Sequence, residues 1–117
     1  MQMKIYGIPN CNTVKKTLDW FKLHHIDYEF HDFKKLGVSN EMLEEWAAIL
    51  GWEALINKRG TTWKMLDAER QSSIISQDLA FKLMQEKTSV IKRPVIEAGS
   101  GSVFLGFNEE QLSELLK

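Results

Sequence analysis

Two short β-rich runs flank one helical stripe within residues 3–33, and that order restricts the chain more than any other feature. The run MKIYGI, Met3 to Ile8, is apolar and aromatic and reads as a strand that Pro9 and Asn10 then break. From about Thr13 to His25, Val14, Leu18 and Phe21 recur at i, i+4 and i+7, while Lys15, Lys16, Asp19 and Lys22 fall elsewhere; this is one apolar helical stripe. Asn12 and Thr13 each carry a side-chain oxygen that can accept from the exposed N–H groups of a first turn, so either can cap this helix. DYEFHDF, Asp27 to Phe33, sets Tyr28, Phe30 and Asp32 against Glu29, His31 and Phe33 and reads as a second strand. Strand, helix, strand is the βαβ unit of a parallel sheet.

The middle of the chain is helical. Ser39 can cap a helix reaching Leu50, with Met42, Leu43, Trp46 and Ile49 or Leu50 on one face and Gly51 just beyond it. Short pieces follow around WEALINKRGTTWKML. Further helices are expected over Asp67–Ile75 and Ser76–Glu86, the second with Leu79, Leu83 and Met84 as its stripe and Phe81 less well phased. The period then changes. PVIEAGSGSVFLGF is two β runs around Gly99, Ser100 and Gly101, a hairpin. Asn108 stands three residues before Gln111, the spacing of a capping box, and Leu112, Leu115 and Leu116 form the apolar face of a last helix.

The element order is therefore β-α-β, a helical insertion, then β-β-α. It predicts an α/β fold of the thioredoxin-like kind, a mixed sheet with helices on both faces. With 117 residues the chain reads as a single domain, 1–117, whose helical insertion runs over about 39–88.

Net charge is -1, which offers no electrostatic case for nucleic acid or an anionic membrane. The start of the sequence has no signal-peptide pattern, and no apolar run approaches the ~18 residues of a membrane helix. The expected compartment is the reducing cytoplasm. Cysteine occurs once, so neither an internal disulfide nor a multi-thiolate zinc site can form within this sequence.

That one cysteine, Cys11, lies in IPNCNTV, where the first strand gives way to the first helix. A free cysteine is commonly a small buried hydrophobe. A turn of Pro, Asn and capping residues is a poor place for one. Functional sites in open α/β sheets gather beyond the carboxyl ends of the strands. A helix N-terminus offers unpaired N–H groups and partial positive charge. Both favour thiolate over thiol, so the pKa of Cys11 is expected to be lowered and the thiolate to be nucleophilic. Lys15 and Lys16 oppose the helix dipole in its first turn; they either add positive potential near the thiol or are simply solvated.

Other chemistries find less support. His24 and His25 close the first helix, where a cation suits the dipole, at the end away from Cys11. His31 has no second ligand at metal spacing, and no metal is expected. The glycines of GSGSVFLG sit in a hairpin and not between strand and helix, so they make no phosphate loop. Lys58, Arg59, Lys92 and Arg93 are two basic pairs beside loops, either solvated surface or an anion site assembled on folding. Arg93-Pro94 precedes the third strand; from residue type alone its peptide bond is expected to be trans.

Three ordered blocks, IYGIPNCNTVKKTLDW, GWEALINKRGTTWKML and SVIKRPVIEAGSGSVFLGF, make the chain similar to the arsenate reductase ArsC/Spx family, and within it to the YffB-like branch. The resemblance spans essentially the whole chain. It implies a thioredoxin-like fold, Cys11 as the active thiol, Pro94 as the cis-proline facing it, and Arg93 as an oxyanion-holding arginine. It also marks departures. Gly7 stands where the arsenate reductases carry a histidine four residues before the cysteine. Of their three oxyanion arginines Arg93 matches one. Asn57 aligns with another, with Arg59 two places on as a substitute, and Gly106 replaces the third. An oxyanion relies on several charge-assisted bonds, so these losses argue against efficient arsenate reduction. Val14 replaces the second cysteine of the Spx redox switch.

The expected function is a glutathione-dependent monothiol reductase with no bound cofactor and glutathione as co-substrate. Its partners would be glutathione or an oxidised thiol substrate, with glutaredoxin as a further candidate and no nucleic acid or membrane. Cys11 would be catalytic. The N–H groups of Asn12, Thr13 and the next turn would stabilise the sulfur anion. Arg93, Arg59 and Lys15 would hold carboxylates, and the Pro94 backbone would pair with the peptide part of glutathione. The alternatives are arsenate reduction with glutathione and glutaredoxin, and a non-catalytic, Spx-like regulator binding RNA polymerase or another protein.

Overall fold

The structure, a computed structural model, describes residues 3–114. The chain divides into two compact units: residues up to Asp32 together with those from Arg93 onward, and Phe33–Lys92.

The first unit is built on a four-stranded sheet of order β2-β1-β3-β4, with β1 Lys4–Gly7, β2 Glu29–Asp32, β3 Val95–Glu97 and β4 Val103–Leu105. β1 pairs with β2 in parallel and with β3 antiparallel, and β3 pairs antiparallel with β4. This is the mixed sheet of the thioredoxin-like fold, β-α-β followed by β-β-α. The parallel pair needs a crossover, supplied by helix α1, Asn12–Leu23. The antiparallel pair needs only a tight turn, closed by Gly101 N–H to the Ala98 carbonyl at 2.9 Å.

Register sorts the side chains. Ile5 lies opposite Phe30 and Ile96, and Ile96 opposite Phe104. Alternate residues of a strand share a face, so these form one apolar row. It belongs to a core of Met3, Ile5, Trp20, Phe21, Ile96, Ala98 and Leu112, against which Leu18, Tyr28 and Phe107 also pack. Trp20 and Phe21 come from α1, and Leu112 from the helix Glu109–Ser113, capped by Asn108 through its side chain to Gln111 N–H. On the opposite face Tyr6 aligns with His31, ring centroids 4.9 Å apart, and its hydroxyl donates to Glu97 Oε1 at 2.8 Å.

The second unit carries helices α2 Phe33–Leu36, α3 Asn40–Leu50, α4 Thr61–Lys64, α5 Ala68–Ser73 and α6 Gln77–Glu86. The last helix of the chain is thus α7, Glu109–Ser113. Ser39, Asp67 and Ser76 cap α3, α5 and α6 by accepting from Met42, Arg70 and Leu79 N–H, and Gly51 ends α3 at φ 86. Trp46 is fully buried, with Phe33 at 6.3 Å edge-on. Among the described residues no helix is long and apolar enough to cross a membrane.

Several faces differ from expectation. In α6, Leu79 is exposed while Ala80, Phe81, Leu83 and Met84 are buried. Leu79 is the residue whose N–H meets the Ser76 cap; the buried stripe begins one residue later. In α3, Ala47 is buried and Ile49 is exposed. In α1, Thr17 and Trp20 join Val14 and Phe21 inside; the Thr17 hydroxyl is satisfied by the Thr13 carbonyl at 2.8 Å, so a polar residue can sit on the apolar face. Leu115 and Leu116 lie outside the described residues.

Candidate active site around Cys11

The carboxyl end of β1 and the first turn of α1 build the site. Gly7 ends β1, Pro9 and Asn10 turn the chain, and Cys11 takes the N-cap position of α1 with extended backbone, φ -110 and ψ 125. The helix thus starts one residue before Thr13, and the cap is Cys11 rather than Asn12 or Thr13. The Cys11 carbonyl accepts from Lys15 N–H at 3.0 Å, the first bond of the helix. At an N-cap the side chain points at the second and third N–H groups of the helix, here those of Thr13 and Val14. The sulfur closes no cap hydrogen bond of strict geometry, since a thiol is a weak acceptor. Both N–H groups still favour its anion.

Four influences set the acidity of Cys11. Burial is the largest and pushes toward the neutral thiol. Against it act the Val14 N–H, then the Arg93 side chain as a hydrogen-bond donor, then the Thr13 N–H, and the Arg93 charge. The opposing group wins, and the pKa is lowered. Arg93 stands two residues before β3, the neighbour of β1 in the sheet, which brings it to the thiol. Its peptide bond to Pro94 is cis, against the expectation from residue type and in accord with the resemblance. Pro94 is buried, and its carbonyl accepts from Gly106 N–H at 2.9 Å. Gly106 has φ 76, a left-handed conformation that other residues rarely adopt.

Below the cysteine there is no spare room. A Cβ on Gly7 would lie 2.7 Å from Val14 Cγ2, closer than such atoms come. Val14 is fully buried. The position where the resemblance implies a histidine is therefore occupied by a glycine packed under a valine.

The expected site residues divide accordingly. Cys11, Asn12, Thr13, Arg93 and Pro94 share the first unit, and the Arg93 side chain helps lower the pKa of the thiol. Asn12 is exposed and Thr13 half-buried. Lys15 is exposed on α1, and the acidity of Cys11 is accounted for by other groups. Arg59 belongs to the second unit, exposed in a tight turn folded over Asn57. There Arg59 N–H donates to Asn57 Oδ1 at 3.2 Å and Gly60 N–H to the Asn57 carbonyl at 3.3 Å. Lys58 lies over Trp63, 5.5 Å from the ring centroid. Asn57, aligned with a lost arginine, is thus a turn-forming residue here.

Sequence reasoning overlooked Val14 and Gly106. The backbone of the turn after Thr13 was expected to face the sulfur, but the Val14 side chain was read only as part of an apolar stripe and as a missing cysteine. The signal was its place three residues after a helix cap. The second was read only as a lost arginine. A glycine just after a strand was the signal.

Residues 6–115 match the family model of the ArsC family. A solved structure of a YFFB protein is 36% identical, with a TM-score of 0.91 over 98% of this chain and 99% of that one. An arsenate reductase (ArsC) related protein from Brucella melitensis is 38% identical, with a TM-score of 0.76 over 100% of this chain and 96% of that one. The global transcriptional regulator Spx 2 of Lactococcus lactis is 28% identical over 96% of this chain and 84% of that protein.

Proposed function

The chain belongs to the ArsC family, and from that membership we propose that it is a monothiol reductase that uses glutathione. One observation carries the reading: the single thiol of the sequence sits at a helix cap, hydrogen-bonded by Arg93, with its pKa lowered. A thiolate is the attacking form, and a leaving thiol of low pKa departs quickly.

The chemistry is two thiol–disulfide exchanges. In the first, the Cys11 thiolate attacks the glutathione sulfur of a mixed disulfide. A Cys11–glutathione bond forms, the substrate S–S bond breaks, and the substrate leaves as a thiolate that takes a proton from water. In the second, the thiolate of another glutathione attacks the glutathione sulfur on Cys11. Oxidised glutathione forms and Cys11 returns as thiolate. In sum the disulfide bond passes from the substrate–glutathione pair to a glutathione–glutathione pair: one free glutathione thiol is oxidised and the substrate sulfur is released as a thiol. No second protein cysteine is required. The Val14 and Thr13 N–H groups and Arg93 hold the negative charge of Cys11 whenever it is the leaving group, and Arg93 also suits a glutathione carboxylate.

The test is mass spectrometry after incubation with oxidised glutathione, followed by turnover with a glutathionylated peptide. A glutathione adduct on Cys11 and turnover abolished by Cys11→Ser are expected. An ordinary alkaline thiol pKa with no adduct overturns the reading.

A second reading has support in the relative named as a transcriptional regulator: a chain that binds RNA polymerase or another protein without turnover. Binding retained in Cys11→Ser, with no thiol exchange in the parent, would favour it. Arsenate reduction is the weaker enzyme reading. Gly7 and Gly106 leave it without a histidine and an arginine that it would use, and arsenate-dependent turnover requiring Arg93 would restore it.

A further inference from the structure

The contact between Gly7 and Val14 joins two facts that the reductase reading leaves separate. Val14 is the third residue of α1, and its N–H is one of the two that an N-cap side chain faces and one of the groups that lower the pKa of Cys11. Its side chain, fully buried, sits over Gly7 so closely that an added Cβ would meet Cγ2 at 2.7 Å, Cγ1 at 3.6 Å and Cβ at 3.8 Å. A valine in a helix is nearly confined to one χ1 rotamer. Its methyls therefore report the position of its own backbone, and so do the atoms they press against.

We infer that Val14 is a positioning residue for the Cys11 thiolate: its methyl, seated on the bare backbone of Gly7 at the end of β1, holds the first turn of α1 so that the Val14 N–H stays beneath the sulfur. Gly7 is the other half of the device, because only a residue without Cβ leaves that seat open. The role is a specific one for this chain. Where another sequence would place a second thiol three residues after the first, this one places a side chain that fixes the geometry of the single thiol. The inference rests on the reading of Cys11 as the reacting thiol, but its test does not require turnover.

The distances dictate the experiment. Gly7→Ala pushes Val14 Cγ2 away. Val14→Ala removes the methyls and unseats the turn. Combined, the two alanines place Cβ against Cβ at 3.8 Å, an ordinary contact. Val14→Ile keeps the branched Cβ. The readout is the pH midpoint of Cys11 alkylation by iodoacetamide, with circular dichroism to verify folding. A full charge-assisted hydrogen bond is worth about one to two pKa units. A partial displacement in either single alanine variant should raise the midpoint by about half a unit. Val14→Ile should retain the parental midpoint, and Gly7→Ala/Val14→Ala should lie closer to it than either single variant. Should Gly7→Ala not fold, the other three variants still decide. An unchanged midpoint in Val14→Ala, or a double variant displaced by the sum of the singles, overturns the inference. Glutathione adduct formation, measured on the same proteins, separates this outcome from failure of the reductase reading: an adduct with no midpoint shift rejects only the role of Val14.

Discussion

The Cβ that Gly7 lacks would stand 2.7 Å from Cγ2 of Val14, so the last residue of β1 and the first turn of α1 meet with no room for one more carbon. A histidine at that place needs the helix to move. Overpacking of a well-filled core costs about 1–3 kcal/mol. Gly7→His should therefore lower stability by about that amount, measured as a lower urea midpoint with unchanged slope. Parental stability would show that the first turn yields freely.

Arg93 supplies both a hydrogen bond and a charge to Cys11. Replacing it by methionine leaves burial opposed only by the two N–H groups. Cys11 is half-buried, and solvent screens part of the charge. The alkylation midpoint should rise by up to about one unit. Arg93→Lys should fall between the two, since it keeps the charge and loses the guanidinium fork. Equal midpoints for all three proteins would remove Arg93 from the site.

The acidity of Cys11 has a stability counterpart. Its folded-state pKa is lowered, while the unfolded chain has an ordinary thiol near 8.5. The thiolate therefore contributes stability that is fully present above the unfolded value and is lost as pH falls through the lower, folded value. Unfolding free energies of the parent and Cys11→Ser should diverge in the parent's favour as pH rises from below the lowered folded value to above the ordinary thiol value. A gap that is constant across the range would contradict the lowered pKa.

Lys15 shares the first turns of α1 with the thiol but is exposed to solvent. Lys15→Gln should shift the Cys11 midpoint by no more than about 0.2 units, an effect abolished by added salt. A shift as large as that of Arg93→Met would return Lys15 to the thiol's immediate environment.

Gly106 donates its N–H to the Pro94 carbonyl from a left-handed conformation, φ 76. Any residue with a Cβ pays about 1–2 kcal/mol for that conformation. Gly106→Arg, the substitution that places an arginine there in sequence, should therefore lower the melting temperature by several degrees. Unchanged melting would mean that the turn accepts a side chain without strain.

Much of this was legible in the amino-acid order. The β-α-β start, the hairpin around Gly101 and the caps Ser39 and Asn108 all follow from short-range rules of periodicity, turn chemistry and side-chain oxygens near open N–H groups. Cys11 stood out for the same reason, as a thiol at a strand-to-helix turn. The face of a short helix was less legible. Leu79 and Phe81 exchange their expected places because neighbouring elements, and not the helix's own period, decide which residues are covered.

By itself the sequence determined the β-α-β start, the helical middle and the closing hairpin and helix, that one thiol stands at a helix start, and that no second thiol accompanies it; it ran the second strand into Phe33, which the structure gives to α2. Only the tertiary structure decided that Arg93, far along the chain, reaches that thiol, that Cys11 and not Asn12 or Thr13 caps the helix, and that Val14 sits on Gly7. Arg59, as basic as Arg93 in the sequence, belongs to a turn of the other unit. The reason is range. Hydrogen-bonded periodicity is written within a few residues, whereas contact between β1, α1 and the start of β3 depends on sheet order and register, which no local pattern of residues encodes.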